Sequence, residues 1–135
     1  MRETMETILA NEQLLVYTAV DGKDAIAKTL ALRPDLILLD LHMPNLNGVT
    51  FLKAIRAGTE THDTPIIVVT GLTAEGRLEE CMAAGADDFM TKPFQMEDLL
   101  LRVRAMLAAA GIGDHVERVQ QYILAVRQMR QQAQK

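Results

Sequence analysis

A chain of 135 residues with one cysteine, Cys81, has the size of a single domain held together without disulfides. Its formal charge of −4, with no local cluster of Lys and Arg, argues against nucleic acid as a direct partner. No apolar stretch approaches the ~20 residues of a membrane span, and acidic residues stand where a signal peptide is basic, so the chain reads as soluble and cytoplasmic, with no membrane contact.

The hydrophobic fraction is 49% with only 4% aromatics, which points to a core of Leu, Ile, Val, Met and Ala. Met5, Ile8 and Leu9 share one helical face, predicting a helix over residues 2–11. LLVYTAV (residues 14–20) then reads as a buried strand. Ala25, Ile26, Leu30 and Leu32 mark a helix over about 22–32, stopped by Arg33-Pro34 because the residue before proline is pushed out of the helical region. DLILLD (35–40) is the next buried strand. Val49, Phe51, Leu52 and Ile55 mark a helix ended by Gly58. PIIVVT (65–70) is a third strand. Leu78, Met82 and Ala83 mark a helix ended by Gly85, with Cys81 on it as a small apolar filler. DDFMTK (87–92) is a fourth, weaker strand. Met96, Leu99, Leu100, Val103, Met106 and Leu107 make the clearest amphipathic helix. After GIGDH, residues from about 115 to 132 form a last helix with Val116, Val119, Ile123 and Val126 as a heptad-like seam. These two heptads fit a solvated linker or a dimerisation helix equally.

The strands are apolar throughout rather than alternating, as when helices cover both faces of a parallel sheet. Alternating strands and helices then give an α/β domain. In an open parallel sheet, ligands collect beyond the carboxyl ends of the strands. Three of those ends carry Asp40, Thr70 and Lys92: a carboxylate, a hydroxyl and an ammonium. Together they suit phosphoryl transfer, with Asp40 as nucleophile and Lys92 and Thr70 meeting the phosphoryl oxygens. Taken singly each is ordinary. Asp40 can cap a loop, and Lys92 can pair with Asp87 or Asp88 at the surface. His62 and His115 show no metal-ligand spacing.

The segment PDLILLDLHMPNLNG (34–48) resembles the phosphoacceptor motif of the response-regulator receiver domain, an aliphatic strand ending in Asp followed by Met-Pro and Gly. PIIVVTG and AAGADDFMTKPF (83–94) resemble two further segments of that family, and the intervals of 30 residues from Asp40 to Thr70 and 22 from Thr70 to Lys92 agree with it. The resemblance implies a doubly wound parallel sheet of flavodoxin-like receiver fold, strand order 2-1-3-4-5. It implies that Asp40 is the phosphoacceptor, that Thr70 and Lys92 contact the phosphoryl group, and that Phe89 is an aromatic switch. It also implies a cis bond before Pro93 and Mg²⁺ held by Asp40 and the backbone carbonyl of His42. The expected function is a switch of a two-component phosphorelay, not an enzyme, charged by a histidine kinase or phosphotransfer protein. The receiver is expected over 1–110, and 111–135 form the linker or dimerisation helix, with a homodimer through 115–133.

The sequence departs from the family at its start. A receiver opens on a central strand ending in an acidic pair that holds Mg²⁺, and here residues 2–11 match the family's first helix instead, so the first strand is expected to be missing. A start codon placed too far downstream, a truncation, or a strand from a second chain are the open explanations. Without the acidic pair the Mg²⁺ site is weak, and a pseudo-receiver acting as an interaction module without phosphorylation is the alternative reading. Gly71 follows Thr70 where the family more often has Ala. No G-x-G-x-x-G, G-x-S-x-G or P-loop points to an enzyme of the same fold class.

Overall fold

The computed structural model describes residues 14–15, 17–19, 21–41, 47–71 and 75–133. The helix expected over 2–11 and the residue His42 lie outside them. Three short apolar runs become parallel strands, β1 (Ile37–Asp40), β2 (Ile66–Gly71) and β3 (Asp88–Lys92), in the spatial order β1-β2-β3. Five helices accompany them among the described residues: α1 (Gly22–Leu32), α2 (Gly48–Ala57), α3 (Glu75–Ala83), α4 (Met96–Ala109) and α5 (His115–Ala133).

The central strand shows why its sequence does not alternate. Ile66 and Val68 enter one apolar cluster with Leu39, Phe51, Leu52, Ile55 and Cys81, which builds the layer of α2 and α3. Ile67 and Val69 point the other way, into a cluster with Met90, Leu99, Val103 and Met106, which builds the layer of α4. Side chains alternate across a strand, so a sheet covered on both faces needs apolar residues at every position. The result is the doubly wound α/β architecture.

Local signals set the helix ends. The Asp21 carboxylate accepts from the Asp24 amide at 2.8 Å and starts α1. Asn47 does the same for α2 through the Thr50 amide at 3.2 Å, satisfying a first-turn amide that has no partner inside the helix. Arg33 ends α1 in the left-handed region with φ 47°.

The strand expected over LLVYTAV does not form among its described residues 14, 15 and 17–19, where Leu15 and Tyr17 are 83% and 57% exposed. An apolar run becomes a strand only where a neighbour closes its ladder. The neighbour that the receiver resemblance places between this run and β1, a first central strand, is not among the described residues.

The last helix is docked. α5 packs along α4, with Ala125, Val126 and Met129 against the cluster that contains Val103, Met106 and Tyr122. Its inward stripe is Arg118, Tyr122, Ala125 and Met129. The expected seam is divided: Val116 and Ile123 are 64% and 43% exposed, whereas Val126 packs inward.

Candidate functional site

The register of the sheet brings the carboxyl ends of the three strands to one edge. Asp40 pairs with Val69, Thr70 with Thr91, and Gly71 with Lys92. Asp40, Thr70 and Lys92 are therefore within one register step of a common line across the sheet, with adjacent strands about 5 Å apart. Lys92 Nζ donates to Asp40 Oδ2 at 2.8 Å, with both side chains only partly exposed. The alternative pairing of Lys92 with Asp87 or Asp88 does not occur, because those carboxylates lie at the far end of β3, four or more extended residues away.

Thr70 is fully buried, and its Oγ1 has no hydrogen-bond partner among the described residues. A buried hydroxyl left unmatched costs about 1–3 kcal/mol, so such an atom marks a place where an acceptor belongs. By strand alternation Thr70 and Phe89 share the α3 side of the sheet, since Val68 is the register partner of Phe89 and lies two residues before Thr70. Asp40 and Lys92 start from the other side, that of Val69 and Met90. Phe89 is 39% exposed, half out of the fold. The Lys92–Pro93 peptide bond is cis.

Leu41, directly after Asp40, is held by close approach of α2. A β-carbon added to Gly48 would lie 2.3 Å from Leu41 Cδ2, so a glycine at this point lets the start of α2 press against the end of β1. Among the described residues no group of three or more His, Cys, Asp or Glu side chains stands together, and at the site Asp40 is the one described carboxylate beside Lys92. They do not make up a Mg²⁺ centre by themselves.

Residues 1–104 match the family model described as response regulator receiver domain. The chain belongs to the response regulator receiver family. The response regulator ArlR of Staphylococcus saprophyticus is 41% identical over 103 residues, 76% of this chain and 46% of that protein. The DNA-binding dual master transcriptional regulator RpaA of Synechocystis is 41% identical over 95 residues, 68% of this chain and 38% of that protein. This receiver thus spans less than half the length of these relatives. Among solved structures, the chemotaxis response regulator CheY4 of Vibrio cholerae superposes with a TM-score of 0.70 at 35% identity, covering 76% of this chain and 86% of that one. The receiver domain of the sensor histidine kinase PA1611 from Pseudomonas aeruginosa, with magnesium in its active-site cleft, gives 0.72 at 29% identity over 79% of this chain and 88% of that one. The receiver is a two-component signalling module, and no helix among its described residues is long and apolar enough to cross a membrane.

Sequence reasoning missed a second polar centre in this receiver. Asp87, its side chain fully buried, accepts both Arg118 Nε at 2.9 Å and Arg118 Nη2 at 3.1 Å, with Arg56 Nη2 at 3.3 Å and His115 Nδ1 at 2.9 Å. Arg56 also caps the carbonyls of Thr64 and Gly85 at 2.6 and 2.8 Å, and burial pulls its pKa down while Asp87 pulls the other way. Asp88 accepts Arg102 Nη1 at 2.9 Å and the Tyr122 hydroxyl. The signal was present as two adjacent acids opening a strand with arginines on three helices, but nothing in the sequence spacing pairs residues 31 apart.

Proposed function

We propose that Asp40 accepts a phosphoryl group from a histidine kinase or phosphotransfer protein. The observation that carries this is the Asp40–Lys92 contact at 2.8 Å at the strand ends, with the buried, unmatched Thr70 hydroxyl one register step away on the neighbouring strand. A carboxylate oxygen of Asp40 attacks phosphorus, the bond from phosphorus to the donor nitrogen breaks, and the imidazole leaving group takes a proton. The product is an acyl phosphate on Asp40. Lys92 then exchanges one anion for another, keeping a compact cation against the phosphoryl oxygens. Thr70 gains the acceptor it lacks. Phe89, on the same side of the sheet, turns inward as Thr70 moves, which makes the response a shift between two conformations rather than turnover.

Incubation of the chain with acetyl phosphate and Mg²⁺ is expected to add one phosphoryl mass by intact-protein mass spectrometry. Asp40→Asn is expected to remove it, and Lys92→Ala to slow it by roughly a hundredfold, the scale of losing one preorganised charge-stabilising group. Labelling that persists in Asp40→Asn would sink the assignment.

A further inference from the structure

α5 lies beyond the matched residues 1–104, yet it is fastened to side chains inside them. Arg118 forks onto Asp87 at 2.9 and 3.1 Å. The Tyr122 hydroxyl donates to Asp88, and Arg130 Nη2 meets Asp98 Oδ1 at 3.0 Å. Between these polar anchors, Ala125, Val126 and Met129 pack on the cluster of Val103 and Met106. The face made by α4 and the start of β3 is therefore a receptor for one helix, recognised through an arginine, a tyrosine one turn later and a second arginine near the end.

The tether between receptor and helix is short, and within it Ile112 packs against the same cluster while its carbonyl accepts from Arg118 Nη1 at 3.1 Å. Residues 110–114 contain Gly111 and Gly113, neither at positive φ. A β-carbon at Gly111 would meet nothing within 4 Å, and one at Gly113 would reach only the Asp63 carboxylate, at 3.4 Å from Oδ2. The bonds that start α5 are local, such as the Glu117 amide to Asp114 Oδ1 at 2.9 Å. They travel with the helix wherever it goes. A short tether fills the receptor within the same chain because the effective concentration is high. The same contacts form, unchanged, when the helix comes from another molecule.

We propose that the α4–β3 face is a helix-binding surface whose second occupant is the α5 of another copy of this chain, exchanged about residues 110–114. The outward side of α5, with Val116, Ile123 and Leu124, stays outside in both arrangements and does not form this interface.

The test uses the full chain in sedimentation equilibrium with hydrogen exchange read on α5. The wild type is expected to be a monomer when dilute and to convert slowly to a dimer near millimolar concentration. Gly111→Ala with Gly113→Ala favours one continuous helix across the joint and should lower the dimerisation midpoint by roughly tenfold or more. Deleting residues 111–113, which denies α5 its own receptor, should give a dimer throughout and serves if the alanine pair fails to fold. In every dimer the α5 amides near Arg118 and Tyr122 should stay protected, and Ile123→Glu should leave the dimer intact. Monomers in all three chains, a dimer with α5 amides exposed, or a dimer dissolved by Ile123→Glu would each overturn the proposal.

Discussion

Gly85 sits at φ +114°, where an L side chain is strained, and a β-carbon there would come within 2.9 Å of Arg56 Cγ and Nε. That arginine is occupied, holding the Gly85 carbonyl at 2.8 Å and Asp87 at 3.3 Å. Gly85→Ala should therefore cost about 1–3 kcal/mol in urea unfolding, from backbone strain and a displaced guanidinium. Tyr122 makes a different prediction at the same scale. Its hydroxyl is held above the usual value near 10 by burial first, then by the bond to Asp88 and the charge of Asp88. A raised pKa favours the protonated form in the fold. The contribution of Tyr122 is thus complete below about pH 10 and is lost as pH rises beyond it, because there the unfolded chain releases the proton first. Urea midpoints measured from neutral to alkaline pH should fall more steeply for the wild type than for Tyr122→Phe. Parallel alkaline limbs would refute the coupling.

Elements were legible where their cause was local. β1, β2 and β3 announced themselves as apolar runs ending in Asp40, Thr70 and Lys92, and the register that aligns those ends follows from parallel pairing. The run of residues 14–20 reads the same way in sequence, but pairing is a property of two segments, and one segment cannot supply it. α5 misled for a related reason. Counting apolar residues picks out Val116, Val119, Ile123 and Val126, whereas the inward stripe is led by a buried arginine and a tyrosine that face two aspartates brought from β3. Counting by hydrophobicity cannot see a residue buried for its charge. The two stripes predict opposite mutational patterns. Arg118→Ala leaves the fully buried Asp87 carboxylate short of its bidentate partner and should cost about 3–5 kcal/mol. Val116→Ala, at 64% exposure, should stay within about 0.5 kcal/mol of the wild type. A thermal or urea comparison of the two decides which side of α5 carries the helix.

At the scale of the whole molecule, Asp87 joins three layers: Arg56 from α2, its own position beside β3, and Arg118 from α5. The helix beyond the matched family segment is thereby wired to the strand that carries Phe89 and Lys92. If α5 were a solvated linker, ending the chain at Gly113 would leave stability unchanged. The geometry argues otherwise. Tyr122 is 4% exposed, and its removal with Ala125, Val126 and Met129 uncovers the apolar cluster on α4 while stripping Asp87 of its bidentate cation. Losing the burial of Tyr122 and Met129 alone should cost on the order of 3 kcal/mol, at about 1.5–3 kcal/mol for each large side chain. The urea midpoint of the shortened chain should fall accordingly, and it should regain part of that loss with Asp87→Asn, which removes the charge left short of a partner. A shortened chain as stable as the full one would show that α5 rests on the domain without holding it.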